Sequence, residues 1–491
     1  MESKGAEGPS RTRAIAERLG EVLGEPLVGE LRRLSSGASR DTFAFCTGSR
    51  GSLVVQIARE GGKLVQSPPQ AALFAAAAEA GVPVPRVVLQ GAADEVLGPS
   101  WTVLEALPGT TDPKPILAGE GVPDAAQLLD DLAGALAAIH RMQVDPAIVS
   151  TIEDPLALLH EWHDRLGEPH PVFELAFRVL EATRPAATRR ALVHGDFRMG
   201  NLMVGASGLN GVLDWELAHM GDPVEDLGWL CVPAWRFTRP DRPAAGLGGH
   251  EQLLAAYERH AGLAVDPSVL RWWELAGTLR WGVICVMQAF AHLSGSRSSV
   301  EHAVIGRRAC EVEWDLLELL DPPPAAGAPP GAAPAAAALG AATPEALIAA
   351  DRQLAAAPAP ALHDRPTAVE LLEAARGALG DEVLPHLQGR PAFQLRVVLR
   401  ALGIVRRELS HLDQHAALHA AALAAVGCSD EQELGRAIRE GRLREQDELL
   451  LAALRVIVRA KLEAANPSYL GKTEPRREEQ CTSTCPRRRP H

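Results

Sequence analysis

No stretch of this chain reaches the roughly 18 consecutive apolar residues that a membrane-spanning helix needs. The longest apolar candidate, Trp281 to Leu293, is interrupted by Gln288 and is too short. The opening residues, MESKGAEGPSRTR, carry no apolar core, so no secretory signal is expected there. A disulfide framework is missing too. The seven cysteines are an odd number scattered singly. The one close pair, Cys481 and Cys485, lies in an Arg-rich tail without the second Cys or His pair that a zinc site needs. Positive charge is not in excess: a formal net charge of -13 and a pI near 5.7 argue against nucleic acid as the main partner. We therefore expect a cytoplasmic protein with free thiols and neither a nucleic-acid nor a membrane partner. Its oligomeric state is left open. The balance of 47% hydrophobic and 23% charged residues is that of a soluble globular protein. A length of 491 residues suggests two or three domains.

What the chain does contain is a polar cluster delivered by short apolar runs. Leu192 and Val193 close one run, and His194, Asp196, Arg198 and Asn201 then crowd into the next few positions. Leu202 to Val204 form a second run and Gly211 to Leu213 a third, which ends on Asp214. Buried strands ending in polar side chains are how a hairpin presents a reaction centre, and loops held by rigid strands commonly carry catalysis. Asp196, Arg198 and Asn201 stand at relative positions zero, two and five. Protein kinases space their catalytic Asp, a basic residue and a metal-binding Asn in this way, and follow them with a second metal-holding Asp. The residue types suit that chemistry. A carboxylate at Asp196 can hold an attacking hydroxyl in line and accept its proton. An amide oxygen at Asn201 and a carboxylate at Asp214 suit a hard cation. A cation at Arg198 offsets charge that moves with a phosphoryl group. Each residue also has a plainer reading: Asp196 as a turn residue after Gly195, Trp215 and Trp229 as core aromatics.

The whole string, H-G-D-x-x-x-x-N at His194 to Asn201, D-W-E at Asp214 to Glu216, G-D-P at Gly221 to Pro223 and D-L at Asp226 and Leu227, resembles the aminoglycoside phosphotransferase family. That family includes choline-kinase-like and other small-molecule kinases. The text VLDWELAHMGDP is most similar to a subgroup related to the kinase-like domain fused to some acyl-CoA dehydrogenases. The resemblance runs from about Thr12 to Leu320. It implies an α+β, two-lobed protein-kinase-like fold with a small β-rich N-lobe and a helical C-lobe. It also implies ATP and Mg²⁺ as cofactors, with Asp196 and Arg198 catalytic and Asn201 and Asp214 holding the metal. His194 is then expected to brace the loop through its ring, and Asp226 to hold the loop backbone.

In chain order, a helix is expected from Thr12 to Leu23, followed by three strands within LRRLSSGASRDTFAFCTGSRGSLVVQIARE. The turn Leu34 to Ser39 between the first two can lay N–H groups on phosphates. By resemblance it covers the nucleotide, which makes Ser36, Gly37 and Ser39 candidate ATP contacts. An Ala-rich helix follows from Gln70 to Ala80, then an extended GVPVPRVV connection. A strand from Trp101 to Leu107 is expected to carry the hinge, where the resemblance brings the backbone of Glu105 and Ala106 to adenine. Leu128, Leu129, Leu132, Leu136 and Ile139 recur at helical spacing. His140 at their end reads as a packing residue capped by backbone. Trp272, Trp273, Trp281 and Phe290 read as the core face of a helix, and Trp235 and Arg236 as exposed-loop candidates for substrate contact. The boundaries expected are an N-lobe over 12–107, a C-lobe with the catalytic loop over 108–320, a Pro/Ala-rich linker over 321–347, a separate small all-α bundle over 348–470 and a disordered tail over 471–491. Within the bundle, Pro366 to Leu387 fits one helix with Leu371, Leu372, Ala375, Leu379 and Val383 along one side. The bundle resembles an uncharacterised helical domain found beside this kinase subgroup.

One absence cuts across the pattern. Kinases pair a strand Lys with a helix Glu to orient the phosphates. Here the strand reads Val54-Val55-Gln56-Ile57-Ala58-Arg59, and the helix opens on Gln70 where the Glu is expected. Arg59 or Lys63 could reach in from the strand end, and a Gln56–Gln70 amide pair could hold geometry without supplying charge. Two readings follow. The first is an ATP-dependent phosphotransferase acting on a hydroxyl group of a small molecule, with a hydroxyacyl-CoA as a candidate acceptor. The second is a catalytically weak, kinase-like nucleotide- or acyl-CoA-binding regulatory protein.

Overall fold

The computed structural model describes residues 9–36, 40–58, 70–145, 147–237, 239–321 and 366–473. Expectations for Gly37, Ser39, Arg59, Lys63, the linker over 322–347 and the tail over 474–491 lie outside them. The chain divides into two compact units, Met1–His160 with Leu180–Thr278, and Glu161–Val179 with Leu279–His491.

The first unit begins with helix α1 (Pro9–Leu23) and strands β1 (Leu27–Ser36), β2 (Arg40–Thr47) and β3 (Gly51–Ala58). Helix α2 (Gln70–Glu79), β4 (Val87–Gly91) and β5 (Trp101–Glu105) complete a five-stranded antiparallel sheet of order β1-β2-β3-β5-β4. Alternation decides its faces. Phe43 and Phe45 of β2 and Leu53, Val55 and Ile57 of β3 are buried, and they pack with Ile15, Leu19 and Leu23 of α1, Leu97, Trp101 and Val103. Because successive strand residues point to opposite faces, Arg40 and Thr42 of β2 and Gln56 of β3 lie on the other face. The β2–β3 register pairs Thr42 with Gln56 and Arg40 with Ala58.

The helical part of this unit contains α3 (Pro113–Ala118), α4 (Ala125–Ile139), the strand β6 (Ser150–Thr151), and α5 (Pro155–Leu166) and α6 (Pro171–Ala182), which run on into the second unit. Strands β7 (Ala191–Val193), β8 (Leu202–Gly205), β9 (Gly208–Val212) and β10 (His219–Gly221) follow, then α7 (Val224–Cys231), α8 (His250–Ala261) and α9 (Pro267–Leu293), the last also shared with the second unit. Strand β10 pairs with β6 and β7, and β8 with β9. Asp124 caps α4 by accepting the N–H of Gln127 at 2.9 Å, and Leu128, Leu129, Leu132, Leu136 and Ile139 are all buried at the spacing the sequence sets. This is a protein-kinase-like arrangement: a β-rich N-lobe followed by a helical C-lobe.

The second unit is helical. It includes α10 (Val300–Gly306), α11 (Ala309–Leu320) and, further along the chain, helices Ala368–Gly377, Gly389–Ala425, Glu431–Arg439, Glu448–Ala465 and Pro467–Thr473. The single helix expected over Pro366–Leu387 is broken. An α-helix ends at Gly377, a π-helical turn covers Ala378–Val383 and a 3-10 turn covers Leu384–His386. Gly377 and Gly380 weaken the helix, and Pro385 cannot continue it. The expected apolar stripe is not buried in this segment, and Leu371 is 55% exposed. Among the described residues no helix is long and apolar enough to cross a membrane. Cys46, Cys231, Cys285, Cys310 and Cys428 are free thiols.

Charge is buried in this unit with partners supplied. Glu174 accepts from His163 at 3.2 Å and from Arg439 at 2.8 Å. Burial alone would raise its pKa, but those two bonds hold it at about 2. His170 lies 3.0 Å from Glu313. Burial would lower its pKa, but Glu168 and Glu313 push it up to about 9. A depressed acid stabilises the fold above its unfolded pKa and loses that contribution in acid. A raised base stabilises the fold below its unfolded pKa and loses that contribution in alkali. Melting followed against pH should therefore show Glu174→Gln flattening the decline between pH 4.5 and 2, and His170→Asn flattening the decline between pH 6.5 and 9. Profiles parallel to wild type would remove these pairs from the stability balance.

Candidate active site

The loop between β7 and β8 is built from its backbone outward. The buried Asp226 carboxylate, projecting from the first turn of α7, accepts the N–H of His194 at 2.7 Å and of Gly195 at 2.9 Å. Burial would raise the pKa of Asp226, yet His140 and His194 hold it below the usual range. His140 lies 3.2 Å from Asp226 through Nε2, and Tyr257 Oη lies 2.8 Å from its Nδ1. An ionised carboxylate only accepts, so Nε2 donates to it and the phenol donates to Nδ1. His140 is thus a packing residue, but side chains, not backbone, satisfy its ring. Burial pushes the Tyr257 phenol up to about 12, so it stays a donor.

His194 is fully enclosed. Its Nδ1 accepts the N–H of Asp196 at 3.2 Å and its Nε2 donates to Leu213 O at 3.0 Å. Burial lowers its pKa, which keeps the ring neutral. This ring ties the loop to the strand end that carries Asp214, and it packs edge-on to Trp215 at 4.9 Å. Gly195 has φ +80°, and a Cβ there would sit 2.5 Å from Leu217 O. Only glycine passes that point without displacing backbone.

Asp196 is held by three donors. Arg198 Nε and Trp229 Nε1 each donate to Oδ1 at 2.9 Å, and Asn201 Nδ2 donates to Oδ2 at 2.6 Å. A carboxylate has about four lone-pair positions, so room remains for one more donor. Trp229 is therefore more than a core aromatic. It lies three residues after Asp226 on α7, so one helix face delivers both the loop anchor and a contact to the Asp196 carboxylate. That spacing was visible in the sequence; the pairing with Asp196 was not. Arg198 also donates to Met199 O at 3.1 Å and stands 4.6 Å over the Trp235 ring. The exposed-loop reading of Trp235 and Arg236 does not hold. Trp235 is buried. Arg236 donates to Cys231 O at 3.0 Å and pairs with the buried Glu274, because the chain turns inward after Cys231.

Asn201 and Asp214 are brought together by the β8–β9 hairpin, whose register pairs Leu202 with Val212 and whose base is closed by Leu213 N–H donating to Asn201 O at 2.8 Å. Asp214 adopts a left-handed conformation with φ 61°, a strain of roughly 1 kcal/mol or more for a residue with a side chain. Burial pushes its pKa up to about 7, with Glu216 and Asp196 adding to the rise and Arg40 and Arg198 opposing it. A half-buried carboxylate crowded by two others is a site short of positive charge. Asn201 commits its Nδ2 to Asp196 O at 3.0 Å as well as to Oδ2, which leaves its amide oxygen as the free acceptor face. Mg²⁺ takes one or two protein oxygens beside substrate phosphates, and the pair fits that demand. Among the described residues no group of three or more His, Cys, Asp or Glu forms a metal cage.

Ser36 ends β1. Glu105 ends β5, where its N–H donates to Arg86 O at 3.0 Å and its side chain pairs with Arg86. Ala106 N–H donates to Ser52 O at 3.1 Å. Both amides are thus spent on the sheet. The hinge is pinned just beyond, where Thr110 and Val204 exchange both backbone bonds at 2.8 and 2.9 Å. Gly109 there has φ +121°, and a Cβ on it would run into Val204 O. On the inner face of the sheet, Arg40 Nη1 donates to Gln70 Oε1 and approaches Gln56 Oε1 at 3.5 Å. The expected amide pair is therefore bridged by a cation from β2, a residue the sequence reading passed over.

Residues 30–263 match the phosphotransferase enzyme family (APH). This stretch belongs to that family. Residues 385–469 match a domain of unknown function, DUF6285. The chain is 26% identical over 267 residues to acyl-CoA dehydrogenase family member 10 of Mus musculus, covering 50% of this chain and 25% of that one. It is also 26% identical over 250 residues to "Probable acyl-CoA dehydrogenase IBR3" of Arabidopsis thaliana, covering 45% and 30%. The chain thus spans only about a quarter to a third of the length of these curated relatives. Among solved structures, a choline/ethanolamine kinase family protein from Mesorhizobium loti is 18% identical, with 64% of this chain and 96% of that one covered and a TM-score of 0.46.

The loop anchor can be tested apart from any activity. Asp226→Ala leaves two backbone N–H groups and the His140 ring without their acceptor, and should cost at least about 3 kcal/mol in denaturant unfolding. A loss under about 1 kcal/mol would mean that the loop is held by something else.

Proposed function

We propose that this phosphotransferase domain moves the γ-phosphoryl group of ATP to the hydroxyl of a small molecule. The observation that carries the proposal is the Asp196 carboxylate, fixed by Arg198, Asn201 and Trp229 beside Asp214. In this reading the remaining lone pair of Asp196 takes the acceptor hydroxyl, holds its oxygen in line with the phosphorus and receives the proton as the new P–O bond forms and the bond to ADP breaks. Asn201 Oδ1 and the Asp214 carboxylate would hold Mg²⁺, which when bound neutralises phosphate charge. Arg198, kept over Trp235, offsets negative charge on the transferring group. His194 and Asp226 touch neither substrate; they keep the loop in shape. Adenine would meet the carbonyls of Glu105 and Ala106, since their N–H groups are committed, with Ser36, Gly37, Ser39 and Arg59 around the phosphates.

For the acceptor we propose a hydroxyacyl-CoA. Support comes from the acyl-CoA dehydrogenase relatives, one of which aligns with 50% of this chain at 26% identity. A catalytically weak nucleotide- or acyl-CoA-binding regulator drew its support from Gln56 and Gln70, and a cation beside both amides weakens that reading.

Purified protein screened for ATP consumption against CoA esters, choline-like alcohols and aminoglycosides should give turnover with a hydroxyacyl-CoA. Asp196→Asn should then lower kcat at least ~100-fold with the fold unchanged by circular dichroism. Trp229→Phe, which keeps the ring and deletes one donor, should lower it about 10-fold. Nucleotide binding without turnover, indifferent to Asp196→Asn, would favour the regulator.

A further inference from the structure

A kinase cleft without its strand lysine lacks the charge that grips the phosphates, and Gln56 and Gln70 occupy the two positions where a Lys–Glu pair is expected. The sheet register shows where a replacement stands. Thr42 lies opposite Gln56, so Arg40, two residues along β2, is the diagonal neighbour of Gln56 on the same face. Arg40 Nη1 donates to the Oε1 of the buried Gln70 and lies 3.5 Å from Gln56 Oε1. A guanidinium is a pure donor, so it fixes both amides with their oxygens toward it. Gln70 Nε2, turned the other way, is buried without a hydrogen-bond partner. The Arg40 charge also reaches across to Asp214.

We infer that Arg40 is the phosphate-binding cation of this cleft: the positive charge has moved from β3 to β2, and Gln56 and Gln70 are its neutral holders. The inference rests on the phosphotransferase reading above and adds a residue to it. The physical logic lies in charge balance. A lysine held by a glutamate forms a pair with no net charge. An arginine held by two amide oxygens keeps its full charge for an anion. Around Asp214, the carboxylates of Asp196 and Glu216 stand against only Arg40 and Arg198, so a triphosphate needs the full charge of Arg40. A planar guanidinium can also take two phosphate oxygens at once.

Titration calorimetry with MgADP and with adenosine separates charge recognition from base recognition. Wild type should prefer MgADP to adenosine, and Arg40→Gln should lose at least about 10-fold in MgADP affinity while adenosine binding holds. Arg40→Lys should retain part of the preference. The triple change Arg40→Gln, Gln56→Lys, Gln70→Glu, which moves the charge back to β3, should recover MgADP binding. Melting temperatures accompany each variant, and this rescue carries the test if Arg40→Gln alone proves unstable. MgADP affinity unchanged in a folded Arg40→Gln protein would overturn the role of Arg40 and leave the phosphotransferase reading standing. A wild type that binds no nucleotide would overturn both.

Discussion

The site depends on two short hydrogen bonds. Asp226 reaches out of the first turn of α7 and takes the N–H groups of His194 and Gly195. The polar cluster of the loop hangs from that backbone. His194, once placed, uses one ring nitrogen on Asp196 N–H and the other on Leu213 O, so the loop and the strand before Asp214 share one brace. Asp226 is itself backed by His140 and Tyr257 from two other helices. A buried polar chain of this kind is stable only when every member is satisfied, which explains why so many hydrogen-bonded side chains occupy the interior beneath the loop.

Rigidity at the floor is matched by a pinned hinge. Thr110 is bonded both ways to Val204, three residues after Asn201, and Val212 N–H donates to Pro83 O at 2.8 Å. The hairpin that carries Asn201 and Asp214 is therefore tied at two points, to the connection between the lobes at Thr110 and to the α2–β4 connection at Pro83. Side chains held by such ties keep the sub-ångström placement that the proposed in-line transfer would demand. The left-handed Asp214 is the one strained member, and its strain is tolerated because backbone bonds fix both of its flanks.

Much of this was legible in the sequence because it is local. The Asp196–Arg198–Asn201 cluster, the hairpin and the α4 stripe follow from residues a few positions apart. The three-donor cradle of Asp196 was half legible: Arg198 and Asn201 are neighbours, while Trp229 comes from a helix beyond three strands. Arg40 was hidden for a different reason. Motif reading looks for a cation on the strand where kinases keep it, whereas strand register, which no local pattern sets, carried the charge one strand over. The long helix expected over Pro366–Leu387 failed on its own residues, since Gly377, Gly380 and Pro385 outweigh an apolar period that never finds a core.

The central claim is that Asn201 and Asp214 present their oxygens to one divalent cation shared with the nucleotide's phosphates. Electron paramagnetic resonance of Mn²⁺ titrated with a non-hydrolysable ATP analogue measures this directly. The account predicts tight, nucleotide-dependent Mn²⁺ binding by the wild-type protein, strongly weakened in both Asn201→Ala and Asp214→Ala. Mn²⁺ bound equally well by folded samples of both variants would contradict it.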